Sequence, residues 1–491
     1  MTIPFFDPED IVLGTTVPIL PIPQFRLSPT DQAYHATIWG RTGSGKSKLL
    51  QSVFLQHLNK GHGVGLVEPH HDLSFDTLSY LVSHGFFQDD EAYERLVYLD
   101  WGNGDFVPFN ILSTDFEPHV AANNALEAMI RVWPELASAP MFQNLFLSSL
   151  VTLIANKLPI TYLHALLTDP AFRKACLLKV DDPIVHQSFD HFDRLGKDQA
   201  TLAGSTLRRA FLLSFSPVAR NTLGQPDNWL PFRKWMDEGK SFIINLGNIN
   251  DHETRKLIGA MVLVQIEQAA LSRTNIAPAD RTPCTLLVDE WPSFAAQDDT
   301  IGTILSQTRK FNLRLYLAAQ SLSQISSKRL SGALENCRLT VAFGLGRESA
   351  EAQAKYIGKA DPFALKEEAL TQTQHAQYLS IMEQFETWTE ELQNLPPRTA
   401  YVKLHDQDAA RIRTLTVPDD EVDQGELKEV LAEYKHRYQR SPQQTKEAIE
   451  KITAPLAAPP RTTSRPSDAE PAYKNLFRRP TKTEDDSDLP N

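Results

Sequence analysis

The chain has 491 residues, too many for one ordinary domain, and 42% of them are hydrophobic, enough for a sizeable core. Its formal net charge of −12 excludes a general basic coat for nucleic acid or an anionic membrane, while leaving room for a local basic channel. Its 3 cysteines (Cys176, Cys284, Cys337) are far apart and lack CxxC spacing, which argues against a disulfide framework or a zinc site and fits a reducing, cytoplasmic setting.

The first residues, Met1-Thr2-Ile3-Pro4, open a stretch with neither the basic nor the apolar region of a signal peptide. Residues 1–34, rich in Pro, Ile and Val, read as an extended lead-in. From His35 the pattern becomes strand, loop, helix. Ala36–Trp39 is a short apolar run, a glycine-rich loop follows, and Leu49, Leu50, Val53, Phe54 and His57 recur at helical spacing. Gly63–Val67 and Leu96–Leu99 read as the next strands, so residues 35–114 form the first part of a core. Residues 115–235 have few strand-like runs and read as an all-helical insert. Within it, the apolar stretch Leu145–Ala155 is near half the ~20 residues a bilayer needs and reads as a buried helix. Strand signals return over residues 236–420, at Phe242–Leu246, Thr285–Val288, Leu313–Ala318 and Leu339–Phe343, with a long helix predicted over Glu253–Ser272. Residues 421–454 are charged and weakly helical. Residues 455–491, rich in Pro, Ser, Thr and charge, are too poor in apolar groups to order themselves, which predicts a disordered tail. Strands separated by helices imply an α/β fold with a mostly parallel sheet and helices on both faces.

Gly40-Arg41-Thr42-Gly43-Ser44-Gly45-Lys46-Ser47 fits G-x-x-x-x-G-K-[ST] at every defined position. Glycines let the backbone curl so that successive N–H groups face phosphate oxygens. Lys46 places a point charge between the β- and γ-phosphates of ATP, the Ser47 hydroxyl suits Mg²⁺, and the helix that follows aims its positive N-terminus at the polyphosphate. A tight turn without ligand is the plain alternative. It is weakened by the apolar strand before the loop and the amphipathic helix after it.

Thr285-Leu286-Leu287-Val288-Asp289-Glu290 is an apolar strand ending in two acids. Such strands present their C-terminal ends to the ligand crevice. Asp289 suits the Mg²⁺ shell and Glu290 suits a general base that polarises the attacking water. Acids also cap strand ends without function, and the upstream phosphate loop is what favours chemistry. Gln320 closes the next strand, where a neutral amide can sense a γ-phosphate. Arg309, in Gln307-Thr308-Arg309-Lys310, is either a solvated basic turn or an arginine finger for a neighbouring subunit. Glu68-Pro69-His70-His71-Asp72 follows the second strand. Two adjacent histidines do not converge on one metal without further ligands, so a loop near the nucleotide or at a subunit contact is expected there.

These residues resemble the coupling proteins of conjugative type IV secretion, within the HerA–FtsK superfamily of DNA pumps. The similarity runs from about His35 to Val417. It is carried by the Gly40–Ser47 loop, by Lys60 to Leu73 with its Glu68-Pro69-His70-His71-Asp72-Leu73 turn (similar to the family's "DPHGDL"), and by Tyr98-Leu99-Asp100-Trp101 with Pro108-Phe109-Asn110. Phe242 to Gly247, Val288 to Trp291, Arg309-Lys310 and Ala318-Ala319-Gln320-Ser321 follow in family order. The helical insert falls where that family carries its all-helical domain. The resemblance implies a RecA-like ATPase, commonly hexameric, that pumps DNA through a central channel, with Lys46, Asp289, Glu290, Arg309 and Gln320 at its motif positions. Three departures stand out. The family's N-terminal membrane helices have no counterpart, which points to a soluble relative, cytoplasmic and at most peripheral to the membrane through partners. Glu68 and His71 replace the family's Asp and Gly. Gly344 stands where some relatives carry an arginine, with Arg347 as a substitute.

The leading expectation is therefore an ATP-driven DNA translocase, its contacts electrostatic and confined to a channel, with Lys197, Arg208 and Arg209 as candidates in the insert. A different class is an ATPase adaptor that recruits a relaxase or another effector to a secretion machine, docked through residues 455–491. A transporter or unfoldase fits less well: Leu330-Ser331-Gly332-Ala333 follows the acids and lacks the full signature of transport cassettes.

Overall fold

The structure, a computed structural model, describes residues 8–17, 24–114, 116–133, 136–137, 140–196, 199–295, 300–325, 332–334, 337–364, 378–405, 407–419 and 421–453. The tail predicted over 455–491 lies outside them, as do Lys197, Leu330 and Ser331.

The described residues form an 11-stranded sheet that organises the chain. Seven of these strands are parallel neighbours: β9 (Leu339–Ala342), β3 (Ala36–Trp39), β8 (Leu313–Ala319), β7 (Cys284–Val288), β4 (Gly63–Glu68), β6 (Ser241–Asn245) and β5 (Leu96–Asp100). All but one of their residues are buried, as a parallel sheet covered on both faces requires. The other four strands extend the sheet antiparallel from β9: β10 (Thr399–Leu404), β11 (Ala410–Thr414), β1 (Ile11–Thr16) and β2 (Gln24–Leu27). The segment expected to be a mere lead-in thus contributes two strands. Gly14 makes the β1–β11 approach possible, since a Cβ there would stand 2.3 Å from the Arg413 carbonyl oxygen.

One face of the sheet is covered by α1 (Lys46–Asn59), α2 (Asp72–Ser83) and the late helix Gln424–Tyr438. The last belongs to the charged stretch, yet it buries Leu427, Val430 and Tyr434 at helical spacing, and the Tyr434 hydroxyl donates to the Leu96 carbonyl (2.8 Å). The other face carries the long helix His252–Leu271. Above it lie the helices of the insert, from Pro118–Val132 to Phe232–Asp237; no strand interrupts them among the described residues. The insert is fastened to the core by a buried ion pair between Arg131 and Glu267, exposed only 1% and 2%. Among the described residues, no helix is long and apolar enough to cross a membrane.

Candidate nucleotide site

Parallel strands end on one side of the sheet, here the carboxyl edge, where ligands of open α/β sheets bind. The Gly40–Ser47 loop begins there. Gly40 N–H donates to the Ala319 carbonyl of β8 (3.3 Å), and Arg41 N–H to the Gly344 carbonyl beyond β9 (2.9 Å). Gly43 and Gly45 have φ of 75° and 112°, a left-handed region that glycine enters without a Cβ penalty. The backbone curls at these two points before α1 starts at Lys46. Gly45 also meets the chain from outside: an added Cβ would lie 3.1 Å from the Arg398 Cα, and Arg398 N–H donates to the Ser44 carbonyl (2.7 Å). At Gly40 a Cβ would stand 2.5 Å from the Ser44 Oγ and 2.7 Å from the Phe343 Cβ. A side chain at Gly40 would crowd the loop's own Ser44, and one at Gly45 would press on Arg398. The buried Ser44 Oγ has no protein partner. Lys46 bends back along the loop, its Nζ donating to the carbonyls of Gly40 (2.5 Å) and Arg41 (3.3 Å). Ser47 is exposed on the first turn of α1, and Thr42 lies at the loop's exposed tip.

Asp289 and Glu290 follow β7 on the same edge. Both are buried, with 7% and 6% exposure. Burial pushes the Lys46 ammonium below its ordinary value, opposed by the charges of Asp289 and Glu290. Burial likewise raises the Asp289 carboxyl, against the pull of Lys46. The three groups form one electrostatic unit whose members are costly to bury without a partner. A polyphosphate with its cation would supply the missing charges. The oxygen donors of Ser47 and Asp289 suit Mg²⁺, so the residues present fit nucleotide and metal. Glu290 has a φ of 44°, unusual for a residue with a side chain. The turn holds it there. Its N–H donates to Asp289 Oδ1 (3.1 Å), its carbonyl accepts from Ser293 N–H (2.9 Å), and Trp291 N–H reaches the Ala318 carbonyl (3.2 Å).

Gln320 is exposed immediately after Ala319, beside the start of the phosphate loop. Arg309 is elsewhere. It lies in the turn Arg309–Phe311 that precedes β8, on the opposite, amino edge of the sheet. Its guanidinium sits 3.8 Å from the centroid of the Tyr34 ring, and that of Arg338 sits 4.4 Å from the same ring. The neighbouring His35 accepts from Leu315 N–H (2.9 Å) through its Nδ1, and its pKa is lowered to about 4 by burial.

The Glu68 turn closes over the site from β4. The Glu68 carboxylate caps α2 by accepting from Leu73 N–H (2.9 Å) and Ser74 N–H (2.5 Å). Burial pushes it up to about 7, with Asp289 adding to the rise. His71 has a φ of 81°, a backbone region that glycine enters without a Cβ penalty. Its Nδ1 meets the Asn245 amide at 2.6 Å. At Gly344 an added Cβ would stand 3.2 Å from the Leu395 carbonyl oxygen, a tight contact. Arg347 points away into pairs with Glu351 and Glu386. Arg208 is exposed on the insert helix Gln199–Phe215, and Arg209 lies over the Trp133 ring (5.7 Å).

Sequence reasoning missed two contributors. Arg398, which braces Gly45, is far along the chain and carries no motif. Gln324, whose Nε2 donates to Glu290 Oε1 (2.7 Å), is hidden in a short Ser321–Gln324 turn.

Sheet order, phosphate loop and strand-end acids together define a RecA-like P-loop nucleotide-binding fold. Solved structures that share this fold include a conjugative coupling protein and VirB4. The chain aligns with the bacterial conjugative coupling protein TrwB in its unbound form at 16% identity and a TM-score of 0.53, covering 81% of this chain and 88% of that one. A TrwB structure with ADP and Mg²⁺ gives 16% identity, 0.52, 80% and 88%. VirB4 of Thermoanaerobacter pseudethanolicus gives 12% identity, 0.50, 84% and 98%. No protein-family profile and no curated protein sequence matches the chain. The likeness is one of fold, and it agrees with the resemblance the motifs carry.

Proposed function

We propose that this chain is an ATP-hydrolysing DNA translocase of the coupling-protein type, working as a ring that the family resemblance makes a hexamer. The observation that carries the reading is that the curled Gly40–Ser47 loop and the Asp289–Glu290 pair meet at one edge of the sheet, with Lys46 feeling both carboxylates. The loop backbone and Lys46 would bind the β- and γ-phosphates. Ser47 and Asp289 would hold Mg²⁺, which supplies charge neutralisation for phosphoryl transfer. Glu290 would take the proton of the attacking water, and Gln320 would orient that water against the γ-phosphate. Arg309 would act on the nucleotide of an adjacent subunit. The setting would be cytoplasmic, in contact with secretion-machine components.

The DNA half of the reading rests on the fold likeness, and the net charge of −12 speaks for the other class, an ATPase adaptor that recruits a relaxase or another effector. ATP turnover with and without single- and double-stranded DNA separates them. A translocase is stimulated by one of the two, and the stimulation falls with salt as phosphate contacts are screened. Turnover indifferent to both would leave the adaptor.

A further inference from the structure

The hydrogen bond from Gln324 to Glu290 bears on how that carboxylate is aimed. Glu290 lies two residues beyond the end of β7 with a left-handed backbone, so its side chain leaves in a direction the sheet alone does not set. What touches its carboxylate is the amide of Gln324, whose Nε2 lies 2.7 Å from Oε1. Gln324 is in turn held by its own turn: its Oε1 accepts from Ser321 N–H (3.3 Å), closing a reciprocal cap with the Ser321 side chain. The turn is pinned to the helix Arg347–Ile357 through Ser349, whose Oγ meets Ser321 Oγ (3.0 Å) and accepts from Leu322 N–H (3.1 Å). The residue before this turn is Gln320, at the carboxyl end of β8. One short segment therefore joins the γ-phosphate side of the site to the carboxylate of Glu290.

We infer that Gln324 is a positioning residue for hydrolysis: its amide fixes the Glu290 carboxylate so that the other oxygen is aimed at the water, and it ties that aim to the segment that begins at Gln320. This rests on the ATPase reading above. The two ends of the Gln324 amide do separate jobs, since its oxygen caps the turn and its nitrogen holds Glu290. Gln324→Glu is isosteric and keeps the cap, but removes the donor and sets a like charge against Glu290. Gln324→Ala removes both. Gln324 is exposed, so neither variant removes buried packing.

The experiment measures ATP turnover and nucleotide affinity of the full chain for wild type, Gln324→Glu, Gln324→Ala, Glu290→Gln and the Glu290→Gln/Gln324→Ala double variant. Turnover should fall by on the order of ten- to a hundredfold in both single Gln324 variants, with nucleotide affinity within about twofold of wild type. The double variant should be no slower than Glu290→Gln alone, because Gln324 acts only through Glu290. Wild-type turnover in Gln324→Glu, an increase, or an additive loss in the double variant overturns the inference while leaving the ATPase reading intact. A wild-type chain that binds ATP without turning it over under any condition, or a Glu290→Gln variant with full turnover, overturns the reading beneath it.

Discussion

The two edges of the parallel sheet differ in what they gather. The carboxyl edge collects the phosphate loop, Asp289, Glu290 and Gln320, and electrostatics link Lys46 of the loop to both acids. The amino edge holds Arg309 and Arg338 against the Tyr34 ring, away from the phosphate loop. Strand β8 separates the two: Arg309 precedes its first residue and Gln320 follows its last. Seven extended residues span about 20 Å. An arginine that far from the phosphate loop of its own chain cannot neutralise charge there. If Arg309 serves hydrolysis, it serves a site on another copy, and the comparison explains why a ring would be needed at all.

The strongest way to break this comparison acts on the carboxyl edge. Lys46→Ala should lose nucleotide binding, and Glu290→Gln should bind ATP while its turnover falls by about two to four orders of magnitude, read by equilibrium binding beside phosphate release. On the amino edge, Arg309→Ala should leave ATP binding near wild type and lower turnover by about three orders of magnitude, the scale of other arginine fingers. Weakened binding in that variant would place Arg309 in its own site and erase the distinction between edges. The smallest effect sharpens the carboxyl edge through pH. The pKa of Glu68 is raised to about 7 by burial, so the folded chain holds its proton more tightly than the unfolded one. That stability is fully present below the ordinary carboxylate range and is lost as pH rises through 7. Denaturant melts at pH 5 and pH 8 should show wild type losing on the order of 2 kcal/mol relative to Glu68→Gln across that interval.

Much of this was legible in the sequence because parallel strands buried on both faces must be short apolar runs. Ala36–Trp39 and Leu313–Ala318 read correctly for that reason, and the first is matched residue for residue. The phosphate loop and the acids are local motifs, so spacing alone found them. The antiparallel strands were not legible. Thr399–Leu404 and Ala410–Thr414 carry Lys403, Arg411 and Arg413 within them, and their pairing is set by partners distant along the chain, such as Ala342 opposite Tyr401 and Gly14 opposite Thr414. Gln324 and Arg398 were missed for the same reason: each reaches its partner through folding alone, with nothing in its own surroundings to mark it.

The central claim is that one copy's amino edge completes another's carboxyl edge, and mixing inactive variants tests it most directly. Lys46→Ala lacks a working loop but keeps Arg309; Arg309→Ala keeps the loop but lacks the arginine. Each alone should be inactive. Mixed and allowed to exchange subunits, they should regain ATP turnover, because some contacts then pair an intact Lys46 with an intact Arg309. A mixture that stays as inactive as its parents, or an Arg309→Ala protein that hydrolyses ATP at the wild-type rate by itself, would contradict the account.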